Sequence, residues 1–404
     1  MSRALFVAAL LLVAGARPGV AGDLPWLHAE GMRIVDEQGR TNVLRGVNLG
    51  GWLVEEMWMM PFETTPPDNS DFKPVKDHVS LWATVEQRFG TDETARVRTA
   101  LRRAWITEAD FDRIQAAGLN CVRLPFLYDL LDEPDGFQWL DQALRWAKAR
   151  GIYVVLDLHG APGRQSDDQP TGEVGRNRLF HDPAMVKQTE EVWARVAQRY
   201  RDHSEVAGYD LLNEPMGAPN AGTLYLVYDR LYRAIRAVDT RHLIVIEDGY
   251  KGIENMPYPA IVGWQNVLFS SHHYTFNAKS EKDHLGVLSW IVSTVLGKFQ
   301  RDRSVPWYVG EFQCEPHGTP ATVGKFIQAF EKQNCSWTIW TYKTAMKDGG
   351  GGMWGWYHND KALQPLNVFT DSEADLLAKI DQVRTERMNE NRELTAIFRS
   401  RNSE

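Results

Sequence analysis

VAGYDLLNEP, residues Val206–Pro215, decides how the rest of the chain is read. Val206, Tyr209, Leu211 and Leu212 give it the look of a short buried strand, and Pro215, which cannot donate to a ladder, stops it. Asn213 and Glu214, an amide and an acid, stand together at its end. An ionised carboxylate inside a strand is costly unless paired. A polar pair at the C-terminal lip of an apolar strand is where α/β barrels carry their chemistry. PWYVGEF, Pro306–Phe312, repeats the pattern and carries Glu311 near its end. Two glutamates at the ends of two strands meet the need of a retaining glycosidase: one acid protonates the leaving oxygen and the other attacks the anomeric carbon. Either one alone reads equally well as a solvated strand-end residue, so the case rests on the pair and its surroundings.

Moving outward, strand and helix patterns alternate. The strands are NCVRLPF (Asn120–Phe126), Ile152–Gly160, Val206–Pro215, His242–Gly249, Val267–Tyr274, Trp307–Phe312 and Ser336–Lys343, preceded by LRGVNLGGWLVEE (Leu44–Glu56). Helices fall between them. Thr107 and Asp110 form a capping box for Glu108–Ala117, which Gly118 ends. Leu224, Val227, Leu231 and Ile235 recur at helical spacing in Thr223–Val238. Parallel strands require such crossovers, and about eight units close into a (β/α)8 TIM barrel. Three additions are expected: an N-terminal hairpin pairing Met32–Val35 with Asn42–Leu44 and covering one end, a long insertion Met57–Ala104 after the first strand, and C-terminal helices within Ser372–Arg399.

The 404 residues fit one such domain with insertions. Arg3, the apolar run Ala4–Ala14 and small residues up to Ala21 read as a signal peptide, 1–21, leaving a single catalytic domain, 22–404. That predicts a secreted or periplasmic protein, without stable membrane insertion and monomeric. A net charge of −8 argues against a nucleic-acid partner. Fifteen tryptophans exceed ordinary use, and flat apolar indoles stack on sugar rings as well as filling cores. Of the three cysteines, Cys121 reads as a buried thiol, while Cys314 and Cys335 are placed either to bridge or to stay free. No Cys/His spacing resembles a zinc site, and no cofactor is expected.

The strand ends supply Asn48, Arg123, His159, Asn213, Glu214, His272, Tyr274, Glu311, Trp340 and Lys343. A purely structural barrel has no need of this set on one rim. In order, RGVNLGGW (Arg45–Trp52), VRLPF (Val122–Phe126), LDLHG (Leu156–Gly160), LNEP (Leu212–Pro215), HHY (His272–Tyr274), GEF (Gly310–Phe312) and IWTYK (Ile339–Lys343) resemble glycoside hydrolase family five, and LGGWLVEE and WTYKT are most similar to its exo-β-1,3-glucanase branch. The resemblance implies Glu214 as acid/base and Glu311 as nucleophile. It implies Asn213 on the sugar 2-hydroxyl, Arg123 and Tyr274 on Glu311, His272 near Glu214, and His159 and Trp340 lining the first sugar subsite. Asn48 and Lys343 are carried with them as substrate-binding candidates, the substrate being a β-glucan or β-glucoside.

Three further readings are weighed. The Met- and aromatic-rich MWMMPFE, Met57–Glu63, is either core or a platform for a lipid or aryl aglycone, and Trp354 and Trp356 either stack on sugars or pack. A non-catalytic carbohydrate-binding barrel would not need both acids. A metal-dependent hydrolase would use His159, His272 and His273.

Overall fold

The computed structural model describes residues 23–134 and 136–400; the leader expected at 1–21 lies outside them. In chain order the elements are β1 Leu27–Glu30, β2 Arg33–Asp36, β3 Arg45–Asn48, α1 His78–Phe89, α2 Thr91–Trp105, α3 Glu108–Ala116, β4 Cys121–Leu127, α4 Phe137–Lys148 and β5 Tyr153–Gly160. Then come α5 Pro183–Tyr200, β6 Val206–Asp210, α6 Ala221–Arg236, β7 Leu243–Glu247, α7 Pro259–Val262, β8 Val267–His273, α8 Glu281–Trp290, α9 Gln300–Arg303 and β9 Trp307–Phe312. The chain ends with α10 Pro320–Glu331, β10 Ser336–Ile339, β11 Tyr357–His358, α11 Glu373–Ile380, β12 Asn389–Glu390 and α12 Arg392–Ser400.

β3 to β10 form one closed parallel barrel, with β10 returning to pair with β3 through Trp337 and Arg45. All residues of β4 and β5 are buried, as strands covered on both faces must be, which explains their nearly unbroken apolar runs. Asp110 accepts the Thr107 N–H at 2.6 Å, so the predicted capping box opens α3.

The expected hairpin is present and is extended by an earlier strand: Val35 bridges Thr41 antiparallel and the Asn42 N–H donates to the Ile34 carbonyl at 2.8 Å. β1 pairs with β2, from Leu27 opposite Asp36 to Glu30 opposite Arg33, around a turn that begins at Gly31 with φ +58°. The Asp36 carboxylate accepts the N–H groups of Gln38 and Arg40, both at 2.9 Å, which curls Asp36–Arg40 into the turn that closes this second pairing. Leu27 and Ile34 then pack on Leu44, Cys121, Tyr153 and Leu243, residues at or just before the strand starts, so the hairpin closes the N-terminal end of the barrel.

Two strands are shorter than expected. β3 stops at Asn48 and the chain turns through Gly51, φ +75°; β6 stops at Asp210, leaving Leu211–Pro215 irregular. In the insertion, α1 and α2 pack against each other and α2 on α11. Met59, Met60 and Phe62 join the core, while Trp58 stays 37 % exposed. The stretch expected as one helix over Asp283–Phe299 is α8 followed by a π-helical run, Ile291–Phe299. α11 and α12 cover the barrel's outside as anticipated. Cys121, Cys314 and Cys335 are buried free thiols. Among the described residues, no helix is long and apolar enough to cross a membrane.

Candidate active site

The C-terminal ends of the strands surround a cavity of about 870 Å³ lined by Glu214 and Glu311 among others. Glu311 comes from β9. Its Oε1 accepts from Arg123 Nη1 at 2.8 Å and its Oε2 from the Tyr274 hydroxyl at 2.6 Å. Glu214 follows β6 in a left-handed turn, φ +42°, a conformation sparsely used by residues with side chains. Its Oε1 meets His272 Nδ1 at 3.0 Å and the Tyr250 hydroxyl at 3.1 Å. One oxygen of each glutamate and one nitrogen of His272 lie within 4.8 Å of one another.

Beneath them Arg123 is fully buried and faces four carboxylates: Asp157 at 3.1 Å, Asp210 at 2.8 Å, Glu247 at 3.2 Å and Glu311 at 2.8 Å. A single guanidinium cannot offset four charges in a desolvated space. Burial accordingly pushes Asp157 up to about 7 and Asp210 well above the carboxylate range. Arg123 also donates to Asn213 Oδ1 at 2.9 Å and to Asn48 Oδ1 at 3.1 Å.

Burial opposes ionisation of both glutamates facing the cavity. At Glu214 the His272 contacts outweigh it and hold that carboxyl below its ordinary value. Glu311 stays raised, the Glu214 charge adding to burial against the attraction of His272 and Arg123. His272, against the cost of burial, is held well above its usual value by Glu247 and Glu311. His272 Nδ1 and Glu214 Oε1 are within hydrogen-bond distance, so one proton can be exchanged between them. On the imidazole it leaves Glu214 charged. Passed across the 3.0 Å contact to Glu214 it makes that group an acid, and the Glu214 charge that raises Glu311 and the His272 charge that lowers it vanish together.

His159 and Trp340 line the cavity together, their rings stacked at 5.7 Å and 11°. His159 Nδ1 pairs with Asp157 at 2.6 Å, and His273 Nε2 with Ser271 at 2.9 Å. The three histidines of the metal reading therefore do not converge. The one group of three potential ligands among the described residues is Glu214, His272 and Glu311, already engaged with each other.

Two candidates lie elsewhere. Lys343 is a correction: it is fully buried and points away from the cavity, donating to the carbonyls of Trp105 and, at 2.8 Å, Val383, and to Thr385 Oγ1 at 3.2 Å. The strand ends at Ile339, so alternation no longer places residue 343, and its ammonium pins the C-terminal segment to the barrel. Asn48, also fully buried, supports Arg123 from below and donates to the Gly310 carbonyl at 3.0 Å. Trp356 likewise belongs to the core, its indole N–H on Thr395 at 2.8 Å, whereas Trp354 lines the cavity.

Glu56 was not singled out by sequence reasoning. It lines the cavity at 3 % exposure, accepts from Trp58 Nε1 at 2.9 Å and leaves Oε1 without a partner. Burial pushes it up to about 7, with the charges of Glu311 and Glu214 adding to the rise and His159 opposing it. Its neighbour Glu55 turns the other way, to His78 and to Trp82 Nε1 at 3.0 Å. Tyr250, Phe276 and Trp290, also missed, stand at the cavity mouth with 50 %, 64 % and 44 % exposure.

A closed parallel barrel with two glutamates converging on one cavity at its C-terminal rim is the architecture of a barrel glycoside hydrolase. Residues 77–346 match the family model Cellulase (glycosyl hydrolase family 5), and the chain belongs to that family. It is 28 % identical over 385 residues to a Beta-xylosidase of Phanerodontia chrysosporium, covering 86 % of this chain and 76 % of that protein. It is 35 % identical over 243 residues to the Probable glucan 1,3-beta-glucosidase A of Neosartorya fischeri, covering 57 % of this chain and 56 % of the glucosidase. The match thus spans little more than half of the latter's length. Among solved structures, a rutinosidase from Aspergillus niger superposes with TM-score 0.61 at 16 % identity, over 84 % of this chain and 98 % of the other. The endoglucanase Cel5A of Thermotoga maritima superposes with TM-score 0.56 at 18 % identity, over 88 % and 96 %. These two likenesses concern the fold.

Proposed function

We propose that the chain hydrolyses a β-glucan or β-glucoside by double displacement, releasing sugar from the chain end in the manner of an exo-β-1,3-glucanase. The observation that carries this is the approach of one Glu214 and one Glu311 oxygen to within 4.8 Å at a common cavity. Retaining pairs stand about 5–5.5 Å apart, whereas inverting pairs need about 6.5–9.5 Å to admit water. The partial identity to a glucan 1,3-beta-glucosidase supports the substrate class.

Glu311 Oε attacks the anomeric carbon as the glycosidic C–O bond breaks, and the proton held by Glu214 and His272 goes to the departing oxygen. Water then attacks the same carbon, its proton returns to Glu214, and Glu311 leaves. Asn213, held by Arg123 at 2.9 Å, lines the cavity where a 2-hydroxyl would lie. His159 and Trp340 form the sugar floor, and the free Glu56 Oε1 accepts from a sugar hydroxyl. An NMR time course of the first-formed anomer tests the reading: β product supports it, and α product from a β-glucoside refutes it.

A second reading concerns the aglycone. Trp58, Phe276, Trp290 and Trp354 make the cavity mouth apolar, which favours an aryl or lipid aglycone over another sugar. Relative kcat/KM on laminaribiose, phenylethyl glucoside and octyl glucoside separates the cases. Export of a monomeric domain after removal of 1–21 belongs to the same proposal, checked by N-terminal sequencing and mass measurement in solution.

A further inference from the structure

We propose that Glu247 is a positioning residue that keeps the proton shared by His272 and Glu214 available to the leaving group, an inference that rests on the double-displacement reading above. Glu247 closes β7, is 2 % exposed and does not line the cavity. It therefore acts through other residues. Its Oε2 accepts the backbone N–H of Glu214 at 2.8 Å. Its Oε1 lies 3.2 Å from Arg123 Nη2 and 3.2 Å from His272 Nε2. One carboxylate thus touches the backbone of one acid, the imidazole beside that acid, and the guanidinium beneath the other.

The first contact supports the turn. Glu214 sits at φ +42°, and a buried N–H without an acceptor is expensive. Glu247 supplies that acceptor, so the conformation that aims Glu214 into the cavity depends on it.

The second contact orients the proton. His272 Nδ1 faces Glu214 at 3.0 Å and Glu311 at 3.6 Å, while Nε2 faces Glu247. The Glu247 carboxylate stands behind Nε2 at 3.2 Å without hydrogen-bond alignment, so it acts through charge: it favours the protonated imidazole, and the proton within reach of Glu214 is the one on Nδ1. The ring has room only because residue 310 is glycine: a Cβ there would stand 2.9 Å from Nε2.

The other charges around the pair do not replace Glu247. Asp157 and Asp210 face it across Arg123, and burial keeps both raised. Asp248 beside it is pushed up to about 6, and Tyr228 from α6 stays protonated well above its usual value, each chiefly by burial. Around His272 itself stand Glu214, Glu311 and Glu247, with His273 held neutral by burial, down at about 3.

Glu247→Gln keeps an oxygen for the Glu214 N–H and removes the charge. Without that charge His272 releases its proton sooner. The basic limb of kcat/KM for an alkyl β-glucoside should move to lower pH by about one unit, and the value at pH 7 should fall about tenfold. A 2,4-dinitrophenyl glucoside, whose departure needs no proton, should lose less than about threefold. Glu247→Asp retains the charge and should give a limb between the two. If Glu247→Gln does not fold by circular dichroism, Glu247→Asp carries the test through the same displacement at smaller size. Equal losses on both substrates with an unmoved limb would overturn the proposal, leaving Glu247 a packing residue. A wild-type enzyme that inverts, or cleaves no glycoside, overturns the underlying reading instead and is seen before any variant is made.

Discussion

Tyr274 donates its hydroxyl to Glu311 Oε2 at 2.6 Å, while Arg123 donates to the other oxygen at 2.8 Å. The carboxylate is gripped from both sides, which limits its rotation and steadies its charge. Burial and the Glu311 charge push the Tyr274 hydroxyl well above its usual value, so it remains a donor at every working pH. Tyr274→Phe is expected to lower kcat/KM about tenfold to a hundredfold and to move the acidic limb to higher pH, because the Glu311 carboxylate loses a donor to its charged form. Steady-state kinetics across pH check this.

Glu311 and Glu214 should be separable by the azide each variant consumes. Glu311→Gly should lose at least about a thousandfold in kcat, and azide, entering from the vacated face, should give the α-glycosyl azide. In Glu214→Ala the glycosyl-enzyme still forms from an activated substrate, so azide should give the β-azide. Product NMR distinguishes them, and the same anomer from both variants would contradict the assignment.

Glu56 couples stability to function. Its carboxyl is raised to about 7, so ionisation above the unfolded value near 4.3 costs the folded state progressively more up to pH 7. The sign is therefore a loss of stability with rising pH through that window, amounting to as much as about 3 kcal/mol. Glu56→Gln should remove it: the variant should melt higher than wild type at pH 8, with little difference at pH 4. If Oε1 receives a sugar hydroxyl, KM should rise at the same time. Melting curves at the two pH values and substrate saturation curves test both halves.

The mouth residues Phe276 and Trp290 are 64 % and 44 % exposed, so truncating them should change stability by no more than about 0.5 kcal/mol. Their effect should appear in KM. If the aglycone is apolar, Phe276→Ala and Trp290→Ala should weaken phenylethyl glucoside several-fold more than laminaribiose. Equal effects on both would favour a sugar in that position.

Lys343 should behave oppositely. Its removal leaves the buried carbonyls of Trp105 and Val383 without a donor, so Lys343→Met should cost about 2–4 kcal/mol. KM of the folded fraction should not change. Chemical denaturation and kinetics together check it.

The barrel and both glutamates were legible because strand period, capping boxes and polar strand ends are local signals. Thr107 with Asp110 opens α3 as read, and NEP and GEF place Glu214 and Glu311 on the same rim. Misplacements arose where the chain leaves regular structure. Lys343 was carried to the rim as though β10 continued beyond Ile339, and β1, which adds a strand to the expected hairpin, was not read because Leu27–Glu30 is too short to show a period. Glu55 and Glu56 follow Gly50–Gly51 in an irregular segment, where no period says which acid turns inward.

By itself the order of residues determined an alternating α/β barrel with two acids at its active end, because each signal spans only a turn or a strand. Tertiary structure alone decided the rest. Closure sets Ile339 beside Val47, although they are far apart in the chain. Burial then gives one guanidinium four carboxylates, and Glu247 acquires contacts with Arg123, His272 and Glu214. Such contacts depend on distance in space and on exclusion of water, and neither is written in any short stretch of sequence.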